Sequence, residues 1–186
     1  MEYSPVQNII KSNLFELRTF LESDLESYLN FLRRNKEHLR STGPRYNDNY
    51  FTESYWRARF KDYFNTSHSE RFFIHKDNLV IGEISASHII RGSLSSASFG
   101  YKLDQEYMNK GIMSEATKLA VNYFFKQMNL HRLQAGFMQH NRASGRILEK
   151  LGFQKIGLAK QYLKINGRYE DHILTQLINT DFKDTE

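Results

Sequence analysis

Residues 98–116, SFGYKLDQEYMNKGIMSEA, join a strand pattern to a long amphipathic helix through a loop that contains one glycine, Gly111. The N–H groups at a helix start, reinforced by the helix dipole, bind anions, and a pyrophosphate fits that description. The stretch is neither a Walker loop nor a dinucleotide fingerprint, because it has no GK[ST] and the preceding glycine is Gly100. A plain helix start is the alternative interpretation.

The chain before this stretch contains strand and helix patterns in alternation. Residues 13–20 (NLFELRTF) alternate apolar and polar and predict a first strand. A capping-box spacing at Ser23 and Glu26 predicts a helix starting near Ser23, and residues 51–67 predict a second amphipathic helix. Three strand-like runs at 71–75, 79–90 and 96–103 follow, and an antiparallel meander is their simplest arrangement.

The chain after Gly111 is the more regular part. Residues 111–129 have the strongest helical periodicity, and 132–138 predict a short strand. A helix follows, with Asn141 as its N-cap and Gly152 just past its end. Asn166-Gly167 suits the tight turn of a final hairpin. We therefore predict a single α/β domain over residues 1–186, with a mixed central sheet of about seven strands and flanking helices.

The composition restricts the catalytic groups and the partners that the protein can have. The 186 residues include no cysteine, which excludes a disulfide, a thiolate nucleophile and a cysteine-ligated zinc. Residues 1–107 hold 14 basic and 14 acidic residues, whereas residues 108–172 hold 11 basic against 4 acidic. This asymmetry favours an anionic partner in the C-terminal half, either nucleic acid or a phosphorylated small molecule, with a solvated basic face as the alternative.

Other features bear on location and cofactors. The N-terminus does not resemble a signal peptide and no window has the length of a membrane span, so we expect a soluble cytoplasmic protein with no membrane partner. The seven histidines are dispersed and form no ligand motif, so we expect no metal.

The segment HNRASGRILEKLGF, His140 to Phe153, resembles the second cofactor-binding segment of the GCN5-related N-acetyltransferases. That pattern is Asn, two residues, Ser or Ala, and then a helix ending in Leu-Gly-Phe. The order of predicted elements is also that family's order. Segments between Ile89 and Leu177, including IIRGS, GYKLDQEYMNKGIMSEA and INGRYEDHILT, are similar to the ribosomal-protein-alanine N-acetyltransferase branch.

The resemblance implies acetyl-CoA as co-substrate and a cofactor-binding core at about residues 97–153. The pyrophosphate would bind the loop and helix start formed by Met108, Asn109, Lys110, Gly111, Ile112, Met113 and Ser114. Backbone N–H groups converge there, and the glycine lets the chain approach closely. The family usually has Gln or Arg in place of Met108 and Gly or Ala in place of Met113, so this loop departs from the general pattern.

The resemblance also assigns roles beside the loop. The strand FGYKL would splay from the strand beginning at Arg132, leaving a wedge in which pantetheine bonds like an added strand. There the N–H of Tyr101 would face the thioester carbonyl, and Leu103 would bond the pantetheine amide. One such donor on a developing oxyanion is worth about 3 to 4 kcal/mol.

The helix that begins at Asn141 would supply further groups. Asn141 would cap the helix, bond the cofactor, or do both. Ser144 would protonate the departing CoA thiolate, because the family's commoner acid, a tyrosine seven residues after the asparagine, is Leu148 here. Arg142 and Arg146 would lie near the adenosine 3′-phosphate.

No general base stands out. Many members of the family place a glutamate at the start of the strand that begins here near Ala97, and no carboxylate occupies that position. Glu83 is the alternative, since a charged residue in an otherwise apolar strand is expected either to be exposed to solvent or to have a functional role. The histidines His88, His140 and His172 are further candidates.

The absence of an evident general base favours an acceptor amine that is partly neutral at pH 7 without one. With a pKa of about 7.7 to 8.0, an N-terminal α-amine is roughly a tenth neutral at pH 7, whereas a lysine amine at about 10.4 is neutral in less than roughly one part in a thousand. Direct attack by the N-terminal amine of a ribosomal protein is therefore the first hypothesis.

Two alternatives stay open. A small-molecule acetyltransferase acting on a polyamine, an aminoglycoside or an amino acid would want an acidic acceptor groove, for which Glu53, Asp62 and Glu83 are candidates. A ribosome- or RNA-associated factor, with acetyl-CoA as its regulator, would use the basic half for weak RNA association. Scattered Lys and Arg without an aromatic RNA-binding signature make that hypothesis weaker.

Overall fold

One mixed sheet of eight strands organises the chain. The computed structural model describes residues 8–64 and 68–184, without the side chains of residues 61–64. The strands are β1 (Ile9–Lys11), β2 (Glu16–Arg18), β3 (Ser69–Lys76), β4 (Leu79–Ile90), β5 (Ser96–Leu103), β6 (Arg132–Met138), β7 (Gln154–Ile165) and β8 (Arg168–Ile178). They lie in the order β1-β2-β3-β4-β5-β6-β8-β7. The pair β5–β6 is parallel, and the other neighbours are antiparallel.

Helices cover both faces of the sheet. They are α1 (Leu25–Arg34), α2 (Lys36–Arg40), α3 (Glu53–Phe64), α4 (Ile112–Lys126) and α5 (Arg142–Lys150). Successive residues of a strand point to opposite faces, so Phe72 packs in the cluster that contains α4, while Phe73 packs with α1 and α3. Burial on both faces explains why β3 and β4 are apolar over long runs.

The predicted α/β architecture is confirmed, with eight strands instead of about seven. The meander β3-β4-β5, the helix α4, the strand β6 and the terminal hairpin form as predicted. In the hairpin turn, Asn166 and Gly167 have φ of 46° and 89°, as the tight turn requires. In the part of the chain that is described, no helix is long and apolar enough to cross a membrane.

The N-terminal predictions are partly wrong. Of the single strand predicted over residues 13–20, only Glu16–Arg18 forms a strand, β2, and a separate strand that was not predicted, β1, precedes it and pairs with it. A 3₁₀ turn at Glu22–Asp24 precedes α1, and Asp24, the helix cap, makes no side-chain capping bond. The capping box at Ser23 and Glu26 is therefore wrong. The Asp24 carboxylate instead accepts from the N–H of Leu21 at 2.9 Å and pairs with Arg18 at 3.0 Å.

Candidate active site

A wedge opens in the middle of the sheet where β5 and β6 separate. The two strands pair over residues 96–98 and 132–134. Beyond that point, residues 99–103 and 135–138 line a cavity of about 230 Å³ between them. Backbone groups on both edges are thus available to a third chain. The splay predicted from the sequence is present.

A second cavity, of about 370 Å³, lies at the start of α4. Leu103, Met108, Met113, Ala143 and Ile147 line both cavities, so the wedge and this cavity form one continuous cleft. Of the seven loop residues predicted from the sequence, six line the second cavity: Met108, Asn109, Gly111, Ile112, Met113 and Ser114. Lys110 lies outside that lining and places its ammonium 5.1 Å from the ring centre of Tyr107.

Gly111 makes the turn possible through its backbone conformation. Its φ is +78°, in the left-handed region, and a Cβ built there would meet no atom within 4 Å. The first helical hydrogen bond of α4 runs from the N–H of Glu115 to the carbonyl of Gly111 at 3.1 Å. The N–H groups of Ile112, Met113 and Ser114 precede it and have no partner within the helix. They form the positive end of the helix dipole beside the cavity.

Helix α5 forms the opposite wall of the cleft. Asn141 Oδ1 accepts from the N–H of Ser144 at 3.2 Å, which confirms the predicted N-cap. The helix lies close to β6, since a Cβ on Gly145 would come within 2.8 Å of the Phe137 ring. Asn141 and Ser144 line the wedge, and Arg146 lines the second cavity.

Tyr101 and Ser144 bring two hydroxyl groups together across the wedge. The Tyr101 hydroxyl lies 2.9 Å from Ser144 Oγ and 3.2 Å from the Ser144 carbonyl oxygen. Burial raises the pKa of Tyr101 to about 12, and the hydrogen bond with Ser144 offsets only part of that rise. The phenol therefore remains protonated at physiological pH and acts as a hydrogen-bond donor.

Glu83 lies on the other face of the sheet, in a buried polar cluster. Its carboxylate accepts from Tyr28 Oη at 2.6 Å and pairs with Arg71 at 2.8 Å and with Lys102 at 3.2 Å. Burial alone would raise its pKa, but the charges of Arg71 and Lys102, with hydrogen bonds from Tyr28 and Lys102, lower it from 4.5 to about 2. Such a carboxylate is a very weak base, so the cluster favours a structural role for Glu83.

Of the three histidines predicted as candidate bases, one lies in the wedge lining and two do not. His172 is buried, lines the wedge and places Nδ1 3.0 Å from the carbonyl oxygen of Glu170. His88 and His140 are exposed, and neither lies in the wedge lining. His38, which no sequence pattern indicated, lines the wedge from α2.

Comparison with known proteins places this geometry in a family. The family model described as an acetyltransferase (GNAT) domain matches residues 15–154, three quarters of the chain. The chain belongs to the GNAT acetyltransferase family. This GNAT protein is 35% identical to a probable N-acetyltransferase, YjcK, of Bacillus subtilis, over 93% of this chain and 98% of that protein. It is 31% identical to the [ribosomal protein uS5]-alanine N-acetyltransferase of Escherichia coli, over 89% and 88% of the two chains.

A solved structure supports the same family assignment. The crystal structure of a ribosomal-protein-S5-alanine acetyltransferase from Vibrio fischeri superposes on this GNAT chain with a TM-score of 0.91 and 35% identity. The match covers 95% of this chain and 100% of that one. The resemblance to the ribosomal-protein-alanine branch is thereby confirmed, and the protein is an N-acetyltransferase that uses acetyl-CoA.

The residues of the cleft fit acetyl-CoA. The open space at Gly111 and the unpartnered N–H groups beside it suit a pyrophosphate, and the wedge offers strand edges to an extended amide-containing arm. Arg146 and Lys150 add two cations to the second cavity. Among the side chains that the structure describes, which exclude those of residues 61–64, no three His, Asp or Glu residues are grouped to hold a metal ion.

Some lining residues were not predicted. Lys150 lines the second cavity, whereas Arg142, named for the 3′-phosphate, is not among its lining residues. The spacing alone could have indicated Lys150 but could not have excluded Arg142, because Arg142, Arg146 and Lys150 follow one another at intervals of four residues along α5. Tyr107, in the 3₁₀ turn before the loop, also lines the cavity.

Proposed function

We propose that this enzyme acetylates the N-terminal α-amine of a ribosomal protein, with acetyl-CoA as donor. The observation that supports this proposal most strongly is the wedge between β5 and β6, which is continuous with the cavity at Gly111. The relatives named as ribosomal-protein-alanine acetyltransferases, at 31% and 35% identity, support the choice of acceptor. A cytoplasmic location goes with this proposal, because ribosomal proteins are made there.

Binding of the donor would be divided along the cleft. The backbone N–H groups of Ile112, Met113 and Ser114 would bind the pyrophosphate. Arg146 and Lys150 would bind the 3′-phosphate. Along β5, the backbone of Leu103 would bond the pantetheine arm, and the N–H of Tyr101 would orient the thioester carbonyl and stabilise its developing charge.

The wedge lining supports direct attack by an amine of low pKa. Its described side chains include His38, His172 and Lys102 but no carboxylate. With a pKa of about 7.7 to 8.0, an α-amine supplies a useful neutral fraction at pH 7 without a strong base. We propose that Ser144 donates to the departing sulfur, and that water or a wedge histidine accepts the proton of the attacking nitrogen.

The structure gives less support to a polyamine acceptor. The described acidic candidates are both ion-paired, Glu53 with Arg57 at 2.7 Å and Glu83 with Arg71 and Lys102. The side chain of Asp62 lies outside the described residues. Neither of the two paired carboxylates lines the wedge, so neither would attract a polycationic substrate into it.

The test uses two peptides with an N-terminal alanine and one internal lysine, identical except that one has a blocked N-terminus. Incubation with acetyl-CoA and mass spectrometry would measure turnover. We expect acetylation at the α-amine of the free peptide and none of the blocked one. Equal turnover of both peptides, or turnover of spermidine with neither peptide modified, would refute the proposed acceptor.

A further inference from the structure

The contact between Tyr101 and Ser144 is the one side-chain bridge that spans the wedge between β5 and α5 in the described hydrogen bonds. Tyr101 points from β5 toward the first turn of α5, where the Asn141 cap fixes the backbone of Ser144. Both residues line the wedge cavity. One turn further along α5, Leu148 is buried and apolar, so it offers no donor.

The proton inventory of the pair determines what it can do. A phenol has one proton and a serine hydroxyl has one. The phenol proton has two acceptors within reach, Ser144 Oγ at 2.9 Å and the Ser144 carbonyl oxygen at 3.2 Å. When it goes to the nearer Oγ, the proton of Ser144 is free for a third group. The 2.9 Å distance between the two oxygens permits this direction of donation. Without the phenol, the Ser144 hydroxyl would rotate freely and lose that preference.

We propose that Tyr101 is a positioning residue for acetyl transfer: its phenol donates to Ser144 Oγ and so directs the Ser144 proton toward the departing sulfur of CoA. The inference rests on the role proposed above for Ser144. It adds a side-chain function to a residue whose backbone N–H was the predicted contributor.

The step balances without an added reagent. The amine nitrogen forms a bond to the acetyl carbon, the carbon–sulfur bond breaks, and its electron pair stays on sulfur. The nitrogen releases one proton to water. Ser144 holds its proton in a hydrogen bond to the departing sulfur, and the sulfur takes its proton from water. Tyr101 keeps its own proton throughout, because its pKa of about 12 exceeds the roughly 8.5 typical of a thiol. The pair stabilises the charge on sulfur by hydrogen bonding.

A binding experiment tests this without turnover. The pKa of the thiol in bound CoA is measured from the ultraviolet absorbance of the thiolate, in the wild type, Tyr101→Phe and Tyr123→Phe. Tyr123 is the matched control, because its hydroxyl bonds Asn8 on another part of the molecule. In Tyr101→Phe the Ser144 hydroxyl is no longer directed at the thiolate, so the thiol pKa should rise by up to about one unit, the value of one hydrogen bond. An equal thiol pKa in the wild type and Tyr101→Phe would overturn the proposal.

A kinetic experiment separates positioning from general structural damage. We expect Tyr101→Phe to lower kcat with acetyl-CoA about tenfold, with little change in KM, and to have a smaller effect with the selenium analogue, whose leaving group is less basic. In a Ser144→Ala background, Tyr101→Phe should have no further effect. Equal slowing with both donors, or additive losses in the double variant, would contradict the inference.

Failure of the proposed function would look different. If the wild type acetylates no peptide, the acceptor assignment fails, while the thiol titration still reports on Tyr101 and Ser144 because it needs no acceptor.

Discussion

Tyr28 donates a 2.6 Å hydrogen bond to Glu83, and this bond connects α1 to a central strand of the sheet. The same carboxylate pairs with Arg71 on β3 and Lys102 on β5. Glu83 thus links three adjacent strands and one helix. Lys102 follows Tyr101 directly, so the cluster also fixes the strand that forms one edge of the wedge.

Glu83→Gln should therefore lower stability far more than it lowers catalysis. Breaking a buried ion pair costs about 3–5 kcal/mol, and residual exposure of Arg71 and Lys102 reduces this to about 2–3 kcal/mol. Urea unfolding at pH 7 measures the change, and kcat should fall less than about tenfold because a carboxylate of such low pKa is a poor base. A loss of about a thousandfold in kcat, with unfolding unchanged, would restore Glu83 as the base.

The same variant has a pH signature. The folded pKa of Glu83 is lowered to about 2 from 4.5, so its contribution is fully present above the unfolded pKa and is lost as pH falls through the window from 4.5 to 2. Wild-type stability should fall more steeply than that of Glu83→Gln across this window. Parallel curves would show that the carboxylate contributes nothing through its charge.

Gly111→Ala should weaken donor binding by straining the turn. Its left-handed φ disfavours a Cβ by about 1–2 kcal/mol, although nothing crowds the position. Gly92→Ala is the matched control, with φ of +71° and equally open space in the β4–β5 turn. Both variants should lose similar stability, and the KM for acetyl-CoA should rise in Gly111→Ala alone. A similar rise in Gly92→Ala would point to a global effect.

Arg146→Ala should discriminate donors that differ by one phosphate. A charge-assisted hydrogen bond is worth about 1.5–3 kcal/mol, so affinity for CoA should fall at least about tenfold. Affinity for 3′-dephospho-CoA should be nearly unchanged, as calorimetry would show. Lys118→Ala, at an exposed position of α4, provides the control for general loss of positive charge. Equal weakening with both nucleotides would place Arg146 at another group.

His75→Gln should flatten the stability profile at mildly acidic pH. Burial lowers the pKa of His75 from 6.5 to about 4, with the nearby Asp24 opposing and Arg18 adding to that shift. Between these values the unfolded state binds the proton and the folded state does not, so stability falls as pH drops from 6.5 to 4, by up to about 3 kcal/mol. Denaturant midpoints across this range should show the fall in the wild type and in the exposed-residue control His88→Gln, but not in His75→Gln.

The sequence predicts the C-terminal two thirds better than the beginning, for physical reasons. Helices α4 and α5 combine regular periodicity with caps at Gly111 and Asn141, and both are found where expected. Strands β1 and β2 have three residues each, too few for alternation to be distinctive. Helix α2 has five residues and makes no recognisable pattern, so His38 could not be placed.

In the candidate site, too, local features could be predicted from the sequence and long-range contacts could not. The turn at Gly111, the proposed pyrophosphate site, is formed by neighbouring residues and could be predicted from the sequence. The pairing of Tyr101 with Ser144 joins residues 43 positions apart, and the Glu83 cluster joins four elements. Such contacts depend on tertiary packing and leave no trace in local spacing.

The short pairing between β5 and β6 has a mechanical consequence. Three residue pairs join these strands, compared with seven on each neighbouring boundary, β4–β5 and β6–β8. Separation along this seam breaks fewer backbone hydrogen bonds than separation along either neighbour. Backbone pairing therefore holds the five-strand and three-strand sections together least at this seam, and side chains of the shared core, such as Phe99 on β5 and Leu133 on β6, supply the rest of the connection.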